Sequence, residues 1–306
     1  MKFDLLKKLV EVHAPSGDEY KMRDFLESYR KSNQDDWKVK PTLLEGEFMQ
    51  DCLIWVFGEQ PKLAAFAHMD SIGYTVRYQN QLVKIGGPKG LTGTHLVGED
   101  SNGKIEGELI LDKESKTHLK TDRIIDRGTS LTYKPNFRET DEYIQSPYLD
   151  NRLGVWNLLQ VAETLENGIL VFSCWEEHGG GSVAYLGKII QEKFGVHQAL
   201  ISDITWVTEG VRHGNGVAIS MRDRGIPRQS YVRKIIQNAK DAGIDFQLEV
   251  EDAGGSDGNV LMEGSYPFDW CFIGAPEDEV HTPNEKVHKS DIDNMVKLYK
   301  HLFQSL

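Results

Sequence analysis

Cysteine is scarce in this chain: Cys52, Cys174 and Cys271 lie far apart, each in an apolar stretch. Their odd number and the lack of any C-x-x-C pair argue against a thiolate zinc site, and buried free thiols are the expectation. Long apolar runs are also missing. None approaches the roughly 18 residues that a membrane span requires, so no membrane partner is expected. The opening MKFDLLKKLVEVHAPSG alternates charge with Leu and Val and lacks the unbroken apolar core of a signal peptide. It reads as an amphipathic helix, and the expected location is the cytoplasm. Positive charge is in deficit, with 35 Lys and Arg against 47 Asp and Glu and a net charge of −12. Nucleic acid is therefore not an expected partner, because phosphate binding needs clustered Lys and Arg.

What remains is an ordinary globular composition, 39% hydrophobic and 27% charged, over 306 residues. That length holds one large domain, or one domain with a smaller insert. Residues 4–30 have a helical apolar pattern broken by Pro15-Ser16-Gly17, which predicts two helices. Four short apolar runs follow, at 63–67 (LAAFA), 169–175 (ILVFSCW), 199–202 (ALIS) and 270–274 (WCFIG). Their length and lack of polar alternation predict strands buried on both faces. Helical patterns at 153–165, 183–194 and 228–242 lie between several of them, so the fold class is α/β, a mixed sheet flanked by helices. The stretch 73–143 differs, with short runs such as YTVRY, KIEGELIL and SLTYK, many turn signals and no credible helix. It predicts a small inserted β-barrel or sandwich, leaving 1–72 and 144–306 as the α/β domain.

The residues just after the buried runs carry the chemistry. LAAFA leads into His68 and Asp70, ILVFSCW into Glu176 and Glu177, ALIS into Asp203, and WCFIG, after a short loop, reaches His281. Ligands of open α/β sheets bind at the carboxyl ends of strands, so these groups are expected at one edge. Asp150, in SPYLDNR at the start of a helix, adds a further carboxylate. So many carboxylates cannot stay ionised together without compensating cations, and two divalent metals would supply that charge. Imidazole with carboxylate and no thiolate suits zinc, and also cobalt or manganese.

AHMDSIG, SPYLDNRLG, the WEE turn, ISD and EVHTPNEKV, in this order, resemble the tetrahedral (TET) aminopeptidases. That is metallopeptidase family forty-two, which includes glutamyl and deblocking aminopeptidases and proteins once called endoglucanases. HAPSGDEY and GGSDGN are similar to two further segments of the family. The interval between His68 and Asp150 holds the small β domain where this family carries one. Two departures stand out. Ser71 replaces a usual Glu, and His178-Gly179-Gly180-Gly181 replaces a usual Val-Gly after the Glu pair.

The resemblance implies an aminopeptidase of short peptides with two divalent metal ions per subunit. It implies that one metal takes His68 and Asp203, the other Glu177 and His281, and that Asp150 bridges them. Glu176 would be the general base, and Asp70 would orient His68 through its far nitrogen. A cis peptide after Asp150 and a homo-oligomer, a tetrahedral particle of twelve subunits, are implied as well. Two other readings stay open from the residues alone: a metal amidohydrolase acting on a non-peptide amide, and a catalytically silent binding module. The preferred N-terminal residue is not legible.

Overall fold

Runs of Val, Ile, Leu, Ala and Phe without polar alternation are stable as strands only where both faces are covered. In the computed structural model, which describes residues 2–114 and 116–306, the four runs form the strands Ala64–His68, Gly168–Ser173, Gln198–Trp206 and Asp269–Asp278. Every residue of the first two is buried. Gly168–Ser173 pairs in parallel with Ala64–His68, which pairs in parallel with Gln198–Trp206, which pairs in parallel with Asp269–Asp278. Parallel neighbours end on the same side, so the residues that follow them converge on one edge.

Antiparallel strands flank this centre and make the sheet mixed, with 11 strands in all. Leu53–Phe57 and Thr42–Leu44 extend one side, while Lys286–His288, Tyr143–Gln145 and Arg138–Glu139 extend the other. Val217–Arg222 branches from Asp269–Asp278 and carries Phe246–Val250 in parallel. The observed fold is thus the mixed α/β arrangement with flanking helices that the sequence predicts.

The helices cover the faces. Leu149–Ala162 is buried almost all round, Trp156 and Leu158 included, as expected for a helix pressed onto a sheet and roofed by others. Gln229–Asp241 is amphipathic and turns Tyr231, Val232, Ile235 and Ala239 inward. Near the N-terminus the chain forms two helices, Asp4–Val10 and Tyr20–Asn33, on either side of the Pro15–Gly17 break. Among the described residues, no helix is long and apolar enough to cross a membrane.

A second, fully antiparallel sheet of six strands runs from Gly73–Val76 to Ser130–Tyr133 in the chain. Its strands lie in the order Leu82–Ile85, Gly73–Val76, Ser130–Tyr133, His95–Asp100, Gly103–Leu111, Thr117–Lys120. A bridge between Gln81 and His118 brings its two ends together. It has its own cluster of buried side chains, among them Tyr74, Leu96, Leu109, Leu131 and Tyr133, separate from the main core. The 3-10 turn Tyr78–Asn80 is the one helical element assigned among its described residues.

Candidate metal centre and active site

The parallel register sets His68 beside Ser173, so the chain leaves both strands at the same level. Met69 N–H then donates to Ser173 O, which holds the two exits together. Asp70 follows on one exit and Glu176 and Glu177 on the other. Asp203 sits within Gln198–Trp206, opposite Gly274, and its Oδ1 accepts its neighbour Ile204's N–H at 2.8 Å. Asp150 stands at the head of the buried helix, and the Asp150–Asn151 peptide bond is cis, as the resemblance implies. His281 lies in the loop between Asp269–Asp278 and Lys286–His288.

These side chains meet. His68 Nε2 lies 3.3 Å from Asp150 Oδ1 and 3.6 Å from Asp203 Oδ2. His281 Nε2 lies 3.2 Å from Asp150 Oδ2 and 3.2 Å from Glu177 Oε2. Asp150 therefore turns one oxygen to each imidazole. Glu176 Oε2 is 4.0 Å from His68 Nε2, on the open side of the cluster. His68, Asp150 and Glu177 each offer a donor atom within 4.8 Å of the others. Asp70 Oδ1 is 3.4 Å from His68 Nδ1, the far nitrogen.

The electrostatics of the cluster are those of a site short of positive charge. Burial pushes the Glu177 carboxyl up to about 7, and the charge of Asp150 adds to it against the pull of His281. Burial lifts Glu176 well above the carboxylate range, with His68 pulling down and Asp203 pushing up. Asp203 is raised too, by burial first and by Asp150. Asp150 moves the other way: burial opposes its charge, but His281 and His68 hold it well below the usual range. Burial disfavours charge on both imidazoles, yet Asp150 and Glu177 keep His281 up at about 11, and Asp203 and Asp150 keep His68 well above its ordinary value. The carboxylates thus draw protons onto both histidines. Glu177 Oε1 and His68 Nδ1 are buried without a hydrogen-bond partner. Two imidazoles, carboxylates and no thiolate form a donor set that fits divalent cations, whose charge would replace those protons.

Behind the cluster stands a set of supporting groups, of which Glu285, Ser16, Arg152 and Glu19 were not given a role by the sequence reading. Glu285, fully buried, accepts the backbone N–H of Asp150 at 3.2 Å and of His281 at 3.1 Å. Its only signal was its place inside EVHTPNEKV. Ser16 donates to Asp70 Oδ2 at 2.6 Å, which gives the HAPSGDEY segment a role. The buried Arg152 guanidinium donates to the carbonyls of Met69 and Asp70 and ties the helix to the exit that carries Asp70. Glu19 accepts the Trp175 N–H at 3.2 Å. The GGSDGN turn is a helix start: Ser256 caps Asp257–Glu263 in a capping box with Asn259, and Asp257 takes a hydrogen bond from Ser173.

A cavity of about 530 Å³ opens from Glu176, Asp203 and His281. Beyond them it is lined by Trp206 and Phe272 and by Asp223, Glu249, Glu251 and Glu263, with Arg224 as the basic side chain. Burial raises Glu249, Thr205 and Ser220 stabilise its charge, and Asp223 and Glu251 repel it. The three cysteines are buried and free. His178 is exposed, and its Nδ1 accepts the Gly86 N–H at 3.0 Å.

Comparison with known proteins points the same way. The family model described as M42 glutamyl aminopeptidase matches residues 78–298. A protein of Acetivibrio thermocellus named as an aminopeptidase is 27% identical over 331 aligned positions, covering 97% of this chain and 96% of the relative. A lysyl aminopeptidase of Pyrococcus furiosus is 24% identical over 355 positions, covering 99% of this chain and 97% of the relative. Among solved structures, the aminopeptidase of the archaeon Desulfurococcus kamchatkensis superposes with a TM-score of 0.89 at 22% identity, covering 99% of this chain and 94% of the other. The TET1 peptidase of Pyrococcus horikoshii, described as assembling into a tetrahedron or a large octahedral shell, gives 0.83 at 22% identity, with 98% of each chain covered. These structural likenesses show the fold.

Proposed function

This chain belongs to the M42 glutamyl aminopeptidase family and is a metallo-aminopeptidase, and on that premise we propose that it removes N-terminal residues from short peptides at a dinuclear centre built from the five converging side chains. His68 and Asp203 would hold one divalent cation, Glu177 and His281 the other, and Asp150 would bridge them, zinc being the first choice and cobalt or manganese the alternatives. The observation that carries this reading is Asp150, with one carboxylate oxygen toward each imidazole, at 3.3 Å and 3.2 Å. When bound, such a pair of cations polarises the scissile carbonyl and lowers the pKa of water.

The chain's own residues supply the rest. Glu176, on the open side of the cluster, takes the proton of the attacking water and returns it to the leaving amine. Asp70 orients the His68 ring and holds the turn that carries Glu176 and Glu177. The cavity beside Asp203 and Trp206 receives the N-terminal side chain.

We propose further that 73–143 is a small inserted β-barrel domain serving oligomerisation and substrate access, with 1–72 and 144–306 as the catalytic domain. The separate buried cluster and the bridge between Gln81 and His118 support it. A cytoplasmic homo-oligomer, of twelve subunits as in the TET particles, completes the reading. A monomeric mass at micromolar concentration would remove that last element. The catalytic proposal is tested with aminoacyl chromogenic substrates in zinc, in cobalt and after chelation. Metal-dependent release from free but not blocked N-termini is expected. No release from any substrate with either metal would refute it.

A further inference from the structure

His178 stands where the family resemblance leads one to expect an aliphatic side chain, and the proposed chemistry gives it no task. Its surroundings do. The turn after Gly168–Ser173 is held from below by Asp70, which accepts the N–H groups of Glu176 and Glu177. From above it meets the Gly86-Gly87 loop of the second sheet. That loop is packed so closely that a Cβ at Gly86 would lie 3.0 Å from Glu177 O and 3.3 Å from Glu177 Cβ. A Cβ at Gly87 would lie 3.0 Å from His281 Nδ1. Lys89 N–H, two residues on, donates to His281 O at 2.9 Å, and the Tyr133 hydroxyl donates to the same carbonyl at 3.2 Å. One loop of the second sheet therefore rests on both Glu177 and His281.

Among the described residues, a single hydrogen bond joins the turn to that sheet, from Gly86 N–H to His178 Nδ1 at 3.0 Å. The glycines make the close approach possible. At that approach the imidazole supplies the acceptor for the Gly86 N–H.

We propose that His178 is a positioning residue: by accepting the Gly86 N–H it seats the loop against Glu177 and His281 and fixes the spacing of these two donors. The inference rests on the reading of Glu177 and His281 as ligands of one metal. His178 reaches the chemistry only through them and touches neither metal nor reacting atoms.

The test uses the full-length protein with two substitutions, His178→Leu and His178→Asn. Leucine keeps bulk but accepts no hydrogen bond, whereas the asparagine Oδ1 takes nearly the place of Nδ1. Zinc is titrated into metal-free protein against a chromophoric chelator, and kcat and KM are measured with an aminoacyl p-nitroanilide. His178→Leu should weaken one of two zinc sites by roughly 10–100-fold, the usual effect of removing a group that orients a ligand. The other site should keep its affinity, and kcat should fall more than KM rises. His178→Asn should restore the weakened site to within about threefold of wild type. Wild-type-like zinc binding in His178→Leu would overturn the inference. So would an asparagine variant as impaired as the leucine one, since the acceptor would then not matter. A wild-type protein that binds fewer than two zinc ions would overturn the metal assignment itself, a different result from either.

Discussion

Asp70 Oδ2 accepts the backbone N–H of Glu177 at 3.1 Å, and Oδ1 accepts that of Glu176 at the same distance while lying 3.4 Å from His68 Nδ1. One buried carboxylate thus holds the turn that carries both the proposed base and a proposed ligand, and it faces the ring of another proposed ligand. Burial opposes its charge, but His68, Ser16 and the Glu176 N–H hold its pKa below the ordinary value. Asp70→Asn keeps the shape but turns an amide NH2 toward groups that are themselves donors. Expected is a fall in kcat of roughly 10–100-fold with weaker metal binding. Unchanged kcat and metal content would show that the turn holds itself.

The neighbouring glutamates should fail for different reasons. Glu177→Gln exchanges an anionic donor for a neutral one, so metal content should drop and activity should return in part with excess metal. Glu176→Gln keeps its shape but takes no proton. Its metal content should stay near that of the wild type while turnover falls by roughly 10²–10⁴. Metal analysis beside kinetics separates the two, and the reverse pattern would exchange the roles.

The cavity predicts a charge preference. Asp223, Glu249, Glu251 and Glu263 line it against Arg224 as the basic side chain. A lysyl substrate should exceed a glutamyl one in kcat/KM by at least about tenfold, or about 1.4 kcal/mol, with the gap narrowing as salt rises. Faster glutamyl cleavage would count against this lining as the specificity surface.

His13 predicts an acid-sensitive contact between the N-terminal segment and the second sheet. Its ring sits between the hydroxyls of Thr132 and Ser130, at 3.0 Å and 2.8 Å. Burial, and then the charge of Lys21, lower its pKa from 6.5 to about 4, with Asp18 pulling the other way. Above pH 6.5 the ring is neutral folded or unfolded and adds no pH dependence. Between 6.5 and about 4 the unfolded chain binds the proton and the folded one does not, so stability falls as pH falls. The full loss is about 3 kcal/mol. Urea midpoints from pH 7 to 4.5 should flatten in His13→Gln, and an unaltered slope would rule the contact out.

Much of the centre was legible because strand ends are punctuated in sequence. LAAFA and ILVFSCW fit doubly covered strands, and because those strands pair in parallel the polar groups after them leave the sheet on the same side. Glu285, Ser16 and Arg152 were not legible in the same way. Glu285 and Arg152 bond backbone atoms, and a hydrogen bond to a carbonyl or an N–H leaves no residue type at the other end to find, while Ser16 meets the Asp70 side chain across 54 positions of sequence. Val217–Arg222 was missed for another reason: VAISMR mixes polar and apolar residues, and it is a strand through its pairing with Asp269–Asp278 on one side and Phe246–Val250 on the other. Neither its own pattern nor its neighbours announce a strand.

The parallel centre also sets the order in which the molecule can come together. Phe66 must find Val171 on one side and Ile201 on the other, so its strand stays unpaired until most of the chain is available. The second sheet closes through near neighbours, as where Asp100 meets Gly103 across a tight turn. Loop closure of that kind is fast, whereas distant pairing must first overcome the entropy of the intervening chain. On the ribosome the hairpins around Gly103 can therefore form while Ala64–His68 still waits. During that wait a bare, uncharged AAFA edge is exposed, and it is there that misassembly between nascent copies would begin.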